Sequence, residues 1–352
     1  MTHHQRQLRK RRRHPGIRKR VGLALTLVFA AGVIALLAAV GWVLEIAATA
    51  PDIKTLKPID KGASSVVYAA DGSRLGYVQS DTVRLPITWR KMPPVVREAT
   101  VAIEDRRFYR HGAIDLPGIA RAAIKNILSG HTIQGGSTIT QQLVRALYIQ
   151  NPKRDIQRKI REAKLASELE DIHSKQWVLW QYLNDVPYGT VGGQSAIGIE
   201  AAAEMFFSKH ADDLTLSEAA LLAGLPKGPS EFSPTREGEA ALGRRDEVLR
   251  AMVKSHYITL AEAHQAMSEP LGLKLGGVFS TRREPYFFDY IQDELIQRYG
   301  VGVYRQGGLK VYTTIDPKAQ QQARAAIKKN LYLPNDPSSA VVSIDPKTGY
   351  IK

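Results

Sequence analysis

The sequence of 352 residues contains no cysteine. Disulfides, thiolate metal sites and a cysteine nucleophile are therefore excluded. A chain without cysteine has a fold that does not depend on the redox state of its compartment, which suits an exported protein. The composition does allow a sizeable core, because 44% of the residues are hydrophobic and the chain is long enough to bury them.

Acidic residues are missing from positions 1–20, which carry nine of the lysines and arginines behind the net charge of +15. Charged residues of either sign are missing from positions 21–44. As a helix this run would extend about 36 Å, enough to cross a hydrocarbon core of ~30 Å. Because the basic residues lie on one side of it, we predict a single-pass anchor in the cell membrane, with a cytoplasmic N-terminus and an extracytoplasmic remainder.

Two alternatives exist for this start of the chain. A basic arm can bind nucleic acid, but a basic arm joined to an apolar run is more typical of a topology signal, so no nucleic-acid partner is expected. The run could also belong to a cleaved signal peptide, since Ala48-Thr49-Ala50 resembles a cleavage site. However, the run is too long for a signal peptide and Pro51 would follow the cut, so we favour an uncleaved anchor.

Beyond the anchor, a polar linker over 51–62 leads to a predicted β-hairpin over 64–78. From residue 93 to about 226, apolar residues recur three and four positions apart, which predicts a mainly helical region. A strand followed by a helix start is predicted over 307–317. Residues 338–352 predict a strand that enters a turn, where the sequence stops, and we expect the sequence to be a fragment of a longer protein.

The segment AIEDRRFYRHGAID, residues 102–115, concentrates ionisable side chains directly after an apolar stretch. A helix is predicted to begin after Pro93-Pro94 and to end at Glu104, whose carboxylate would be partly desolvated there and usable as a base. Asp115 has the position of a helix N-cap. His111 fits a structural hydrogen bond as well as a catalytic role, and each acid here also fits an ordinary surface position.

A second segment, QGGSTITQQLVRALYI over 134–149, leads from a glycine pair into a helix. Thr138 and Gln141 have the spacing of a capping box. The N–H groups and hydroxyls at this helix start could hold a phosphate, although a well-capped helix without a ligand explains the same pattern.

A third segment, residues 158–172, places Arg158 and Glu162 on the same helical stripe as Leu165 and Leu169. A surface ion pair would normally face away from the apolar side. Ions on the inward stripe are unfavourable unless they line a site, so this helix is as consistent with a functional site as with a structural ion pair. Further along, the sequence predicts a helix, a loop and a second helix over 182–209.

Five motifs in this order resemble the peptidoglycan glycosyltransferases, glycosyltransferase family 51, as found in class A penicillin-binding proteins. Two departures from the family concern substrate contacts: Trp180 stands where the family usually has glutamate, and Arg145 where it often has lysine. The motifs are Glu104-Asp105 with Phe108, His111-Gly112 and Asp115; Gly136-Ser137-Thr138 with Thr140-Gln141-Gln142; Arg158-Lys159 with Glu162; Tyr182-Leu183-Asn184 before the run 198–203; and Glu218-Ala219-Ala220 through Leu225-Pro226.

The resemblance implies a mainly α fold. A lysozyme-like glycosyltransferase domain would follow a small β element and the transmembrane helix, and would precede the start of an α/β transpeptidase domain. Part of the domain surface is expected to dip into the bilayer, with the apolar residues of 120–149 as candidates. The implied divisions are a basic cytoplasmic tail (1–20), a transmembrane anchor (21–44), a linker with the small β element (51–92), the glycosyltransferase domain (93–235), a helical linker (236–310) and an incomplete transpeptidase start (311–352).

The implied reaction polymerises lipid II into β-1,4-linked glycan and releases polyprenyl pyrophosphate. The resemblance gives Glu104 and Glu162 as catalytic residues, with Glu104 as the base. Glu162 would orient cations or hold a divalent ion such as Mg²⁺ or Mn²⁺, and no organic cofactor is expected. Substrate and phosphate contacts would come from Asp105, His111, Ser137, Thr138, Gln141, Gln142, Arg145, Arg158, Lys159 and Asn184.

Expected partners are lipid II, the growing glycan strand, the membrane bilayer, moenomycin-type inhibitors and other cell-wall synthesis proteins. Two other functions are considered. A lysozyme-type glycan hydrolase would share a helical fold and a catalytic glutamate but would not need Arg158 and Lys159, and a membrane-anchored scaffold would need none of the motifs. Penicillin is not expected to acylate the chain, because the Ser-x-x-Lys nucleophile motif is absent and Lys347-Thr348-Gly349 fits a turn.

Overall fold

The structure is a computed structural model that describes residues 15–59, 64–78, 82–121, 136–149, 155–275, 283–333 and 335–352. Most of the described chain is helical, as the sequence predicts. The helices are α1 (Pro15–Ala48), α2 (Pro94–Glu104), α3 (Ile139–Tyr148), α4 (Ile156–Ile172), α5 (Lys175–Asp185), α6 (Ile199–Phe207), α7 (Leu216–Gly224), α8 (Gly238–Lys254), α9 (Leu260–Ser268), α10 (Pro285–Gln306) and α11 (Pro317–Asn330). The strands are β1 (Val66–Tyr68), β2 (Arg74–Tyr77), β3 (Thr82–Arg84), β4 (Pro187–Val191), β5 (Gln194–Ile197) and β6 (Lys310–Tyr312).

Helix α1 contains the apolar run 21–44 and extends it at both ends. Among the residues that the structure describes, it is the one helix long and apolar enough to cross a membrane. Its large side chains are exposed on all sides, with Leu25 at 65% and Leu36 at 64%, as is typical of a helix that lipid surrounds. Residues 1–14, which hold most of the predicted tail, lie outside the described part of the chain.

The segment that follows α1, predicted as a polar linker over 51–62, is packed against the core over its described part, residues 51–59. Ile53 is only 4% exposed and belongs to the main hydrophobic core. Its backbone N–H donates to Glu168 Oε2 of α4 at 3.0 Å. The N–H of Ile59 donates to the carbonyl of Leu147 in the last turn of α3 at 2.6 Å. The exit segment (residues 49–59) is therefore attached to both α3 and α4.

The predicted hairpin over 64–78 is formed by β1 and β2, which pair antiparallel. Strand β6 pairs parallel to β1 and completes a three-stranded sheet, so the small β element includes residues from far along the chain. Of the strand and turn predicted over 338–352, the turn is present, at 346–348, but the strand is wrong, because the segment forms only a single bridge, between Ile344 and Ile351. A strand needs a continuous partner for its backbone groups, and the described residues provide none there.

The predicted loop between the two helices of 182–209 is also wrong, because it forms a hairpin of β4 and β5. Its turn residues Gly192 and Gly193 have φ values of 57° and 83°, which two-residue hairpin turns require and glycine adopts without strain. Strand β3 pairs parallel to β5. The β4–β5 hairpin of this second sheet lies directly between α5 and α6 in the chain, whereas β3 comes from before α2.

Helix α2 lies between two hydrophobic clusters. Val96 and Val101 face the main core, which includes buried residues of α3, α4, α5 and α6. Ala99 and Ala102 face a second cluster built with α7, α8 and α9. Small alanine side chains let these helices approach closely. The last residue of α2, Glu104, therefore emerges where the two clusters meet. Residues 122–135, which include part of the predicted membrane-dipping surface, lie outside the described chain.

Candidate active site

The Glu104 carboxylate is fixed by contacts to two different helices. Its Oε2 accepts a hydrogen bond from Gln142 Nε2 of α3 at 2.7 Å, and its Oε1 lies 3.5 Å from the guanidinium of Arg244 on α8. The hydroxyl of Tyr182 donates to Gln142 Oε1 at 3.2 Å, which turns the amide so that its NH₂ faces Glu104. Burial, and then the charge of Glu104, raises the pKa of Tyr182 well above 10, so this hydroxyl remains a donor.

Asp105 and His111 form a hydrogen-bonded pair inside the protein. Asp105 Oδ1 lies 2.7 Å from His111 Nε2, and Oδ2 accepts from the N–H of Ile139, the first residue of α3, at 3.2 Å. Burial raises the pKa of Asp105 although the hydrogen bond from His111 opposes it. The pair thus ties the end of α2 to the start of α3, where Gln142 originates.

Asp115 is the helix N-cap that the sequence predicts. Its Oδ1 accepts from the N–H of Gly118 at 2.9 Å, and the guanidinium of Arg107 donates to both of its oxygens. Burial alone would raise the pKa of Asp115, but these hydrogen bonds outweigh it and hold the pKa below its ordinary value. Asp115 therefore stays ionised and holds the segment that follows α2.

The predicted capping box at the start of α3 is present. Thr138 Oγ1 accepts from the N–H of Gln141 at 3.2 Å, and Gln141 Oε1 accepts from the N–H of Thr138 at 3.1 Å. The Thr138 hydroxyl also donates to the carbonyl of Ala113 at 2.7 Å. The side chains of Thr138 and Gln141 are thus engaged within the protein. Ser137 differs, because its hydroxyl accepts a hydrogen bond from Lys159 of α4.

Three cations surround the fully buried side chain of Glu162. Arg158 donates to its Oε1, Lys159 Nζ lies 3.2 Å from Oε2, and Arg145 of α3 lies 3.8 Å from Oε1. Burial lowers the pKa of Lys159, and the charge of Glu162 opposes that shift. Three cations against one carboxylate leave a local excess of positive charge. The inward-facing ion pair that the sequence predicts on α4, Arg158 with Glu162, is present.

The surroundings of Glu162 do not fit a divalent cation. A metal site of this kind collects several oxygen ligands, whereas Glu162 supplies one carboxylate that already neutralises cations. One other group, Glu200, Glu204 and His210, has the spacing of a metal site among the described residues. Its carboxylates already bond to the Tyr77 hydroxyl and to the N–H of residue 211. The need for a divalent cation stays a prediction.

A cavity of about 820 Å³ opens in front of Glu104. It brings together six of the predicted site residues: Glu104, Asp105, Ser137, Thr138, Gln142 and Arg145. Arg158, Lys159 and Glu162 lie behind Ser137 and Arg145 rather than on the wall. The remaining ionic side chains on the wall are the acids Asp115 and Glu247 and the cations Arg106, Arg107, Arg121, Lys227, Arg244 and Lys254.

Asn184, predicted to contact substrate, has an internal role instead. Its Oδ1 accepts from the N–H of Ile87 at 2.9 Å, and its Nδ2 donates to the carbonyls of Ile87 and Trp180, both at 3.1 Å. The residue is 2% exposed. These bonds use its oxygen and both of its amide hydrogens, so the side chain has no donor left for a ligand.

The sequence analysis missed Arg244. Its helix α8 lies in the range expected to be a helical linker (236–310), although a signal is present. Arg244 lies four residues before Val248 and eight before Met252, both fully buried, so it shares their inward stripe. The same test that singled out Arg158 and Glu162 would have found it.

Comparisons with known proteins give the family of this chain. The family described as Transglycosylase matches residues 71–253. Similar proteins include penicillin-binding protein 1A of Escherichia coli (strain K12), 38% identical over 80% of this chain and 32% of its own length. Penicillin-binding protein 2D of Bacillus subtilis (strain 168) is 39% identical over 82% of this chain and 41% of its own length.

A crystal structure of penicillin-binding protein 1A from Haemophilus influenzae is also similar, with 24% identity and a TM-score of 0.40. The match covers 78% of this chain and 30% of the crystallised chain. The chain thus spans about a third to two fifths of the length of the curated relatives named here. Because the family match covers more than half of the 352 residues, the chain belongs to the transglycosylase family. The resemblance based on the five motifs is confirmed.

Proposed function

We propose that the chain is a peptidoglycan glycosyltransferase that polymerises lipid II into β-1,4-linked glycan. The observation that carries this proposal is the position of Glu104. Its carboxylate faces a cavity whose wall also contains Ser137 and Arg145, the two residues in front of the cation cluster on α4. One side of the cavity thus offers a base for a hydroxyl, and the other offers positive charge for a pyrophosphate.

On the acceptor side, Glu104 takes the proton of the attacking 4-hydroxyl of a lipid II. The oxygen of that hydroxyl forms a bond to the anomeric carbon of the donor sugar. The bond from that carbon to the pyrophosphate breaks, and its electron pair leaves with the pyrophosphate oxygen. The α-linked donor becomes a β-linked product, so one inverting displacement with one general base suffices.

On the donor side, pyrophosphate is a good leaving group that needs neutralisation of charge more than a proton. Arg145, Arg158 and Lys159 supply that charge, and Glu162 holds them in place. Arg158 acts from behind the cavity wall, so it contributes its positive charge to the site rather than a direct contact.

We further propose that the chain belongs to a bifunctional class A penicillin-binding protein of the cell membrane. Its helix α1 would cross the bilayer with the N-terminus in the cytoplasm, its catalytic domain would be lysozyme-like, and residues from 311 would begin a transpeptidase domain. We place the end of the catalytic domain after α8 rather than at residue 235, because Val248 of α8 packs in the same cluster as Ala99 of α2 and Ala220 of α7.

The test is to incubate the full chain in detergent with lipid II and to size the products on a gel. Long glycan that moenomycin suppresses would support the proposal. Unchanged lipid II would support a scaffold instead. Cleavage of preformed glycan without synthesis would support a lysozyme-type hydrolase, which a catalytic glutamate alone could serve.

A further inference from the structure

The Glu104 carboxylate lies at an electrostatically unfavourable position of its helix. It is the last residue of α2, and the carboxyl end of a helix carries unpaired carbonyls and a partial negative charge. Its side chain is only 10% exposed, so solvent screens little of this repulsion. A cation close to Glu104 is therefore needed to keep the ionised side chain in one place.

Arg244 is the cation that lies there. Its side chain is 5% exposed, and its Nη2 lies 3.5 Å from Glu104 Oε1. The other nitrogens of the guanidinium are held by separate partners. Nε donates to the carbonyl of Gly224 at 3.1 Å, and Nη1 donates to Glu247 at 2.7 Å. A planar group with all of its edges engaged has little freedom to rotate.

Close packing adds to this constraint. A Cβ placed on Gly224 would lie 2.8 Å from Cγ of Arg244, so the stem of the arginine passes directly over the end of α7. The absence of a side chain at Gly224 is what allows the stem of Arg244 to pass this helix end and reach Glu104.

We propose that Arg244 is a positioning residue for Glu104 in glycosyl transfer, an inference that rests on the proposed function. Gln142 holds one carboxylate oxygen and Arg244 holds the other. A carboxylate accepts about four hydrogen bonds, so each oxygen keeps a lone pair for the acceptor hydroxyl. The two contacts fix the plane of the carboxylate and leave its proton-accepting positions directed into the cavity.

The neighbouring Arg245 provides a matched control. It is also buried, at 2% exposure, but its guanidinium donates to the carbonyls of Met267 and Glu269 at 2.7 and 2.6 Å. These contacts hold the end of α9 and do not involve Glu104. Arg245→Gln is expected to lower the melting temperature while leaving the turnover of the folded protein within about threefold of the unchanged chain.

The experiment measures polymerisation of lipid II by the full chain, with kcat and KM determined below the melting temperature of each variant. Arg244→Gln should lower kcat about tenfold to a hundredfold, with KM changed less than about threefold, because misplacing a reacting group affects the chemical step. Guanidinium ion at a non-denaturing concentration should restore part of kcat to this variant, and urea at the same concentration should not.

If Arg244→Gln fails to fold, Arg244→Lys is measured with the same expectation for kcat, since one ammonium cannot bond in the plane of three partners. Folded Arg244 variants that polymerise within about threefold of the unchanged chain would overturn the inference, as would an equal loss of kcat in Arg245→Gln. An unchanged chain that makes no glycan would instead refute the proposed function, so the two failures are distinguishable.

Discussion

Glu104 and Glu162 have contrasting surroundings, and the contrast favours different tasks for them. Glu104 has one amide donor and one arginine beside it and faces a cavity. Glu162 has three cations beside it and no exposed side-chain surface. A carboxylate that faces open volume can accept a proton from a ligand, whereas one enclosed by cations can only organise them.

Glu104→Gln should lower polymerisation by about 10²–10⁴-fold, because it keeps the size of the side chain but removes the base. Moenomycin binding should change much less, since the proposed phosphate contacts come from other residues. Turnover of lipid II and binding of labelled moenomycin are the two measurements. Glu98→Gln is the control, because Glu98 lies on the same helix but not on the wall of this cavity. Near-normal polymerisation by Glu104→Gln would show that the base is misassigned.

Glu162→Gln should weaken both turnover and moenomycin binding, because Arg158 and Lys159 lose the charge that orients them. It should also lower thermal stability more than Glu104→Gln does, since removing one partner of a buried ion pair costs roughly 3–5 kcal/mol. Melting temperature and moenomycin affinity are measured together on each variant.

The matched control for that variant is Glu294→Gln. Glu294 and Arg298 of α10 form an i,i+4 pair at 2.7 Å, with Arg298 70% exposed, and such surface pairs contribute only about 0.2–0.5 kcal/mol. An equal loss of stability in both variants would contradict the proposed burial effect at Glu162.

At this scale the sequence predicts acids and cations well but not their partners. The position of Glu104 at a helix end and the inward pair on α4 follow from local properties of the sequence, whereas Gln142 was predicted only from the family resemblance. The bonds from Asn184 to the backbone of Ile87, and the approach of Arg244 to Glu104, join residues far apart in the chain. No local pattern encodes such pairs, so they appear only once the helices have packed.

The same difference between locally encoded features and long-range contacts applies to whole helices and strands. The ends of α2, the cap of α3 and the first hairpin are set by prolines, a capping box and a turn, all of which lie within a few residues. Strand β6 could be placed but its pairing with β1 could not, because the register joins residues 66–68 to residues 310–312. The sequence of either segment contains no signal for a pairing that closes a loop of this length.

The exit segment connects the anchor to the helices of the site. Lys164 of α4 donates to the carbonyl of Ala50 at 2.8 Å, and Glu168 of the same helix accepts from the N–H of Ile53. Lys164 and Glu168 also pair with each other at 3.2 Å. Because Arg158 and Glu162 are on this helix, the end of the apolar helix and the cation cluster are held on one rigid element.

Helix α6 carries a pH-dependent contact at its start. His210 Nδ1 bonds to Glu200 at 2.6 Å, and this bond, together with the charges of Glu200 and Glu204, raises the pKa of His210 above its ordinary value of 6.5 although burial and Arg74 oppose the shift. A histidine with a raised pKa stabilises the fold fully below that ordinary value, and the contribution disappears as pH rises through the folded value.

His210→Gln should therefore lower the melting temperature at about pH 6 and leave it unchanged at about pH 9. Melting curves of both proteins at the two pH values check this. His264→Gln is the control, because His264 on α9 has no carboxylate partner among the described ion pairs. A difference between His210→Gln and the unchanged chain that stays constant across this range would contradict the assigned contact.

For the molecule as a whole, we expect no covalent reaction with penicillin but we do expect binding of a phosphate-bearing inhibitor. The Ser-x-x-Lys motif is absent from the 352 residues, and Lys347-Thr348-Gly349 lies in an exposed turn. Labelled penicillin should leave no adduct on this chain, whereas labelled moenomycin should bind it and compete with lipid II. Mass spectrometry of the penicillin-treated chain measures the first outcome, and a stable penicilloyl adduct would contradict it.

The last prediction concerns how the molecule sits in the membrane. Nine basic residues precede the uncharged run and no acid accompanies them, and basic residues next to a span stay on the cytoplasmic side. Alkaline phosphatase, which is active only after export, should be active when fused after residue 60 and inactive when fused before residue 20. Replacing the arginines at 11–13 by glutamine should reduce the activity of the first fusion, because fewer positive charges then hold the N-terminus inside. The reverse pattern would be an inactive fusion after residue 60 and an active one before residue 20. That result would place the candidate active site on the cytoplasmic side and would contradict the proposed topology.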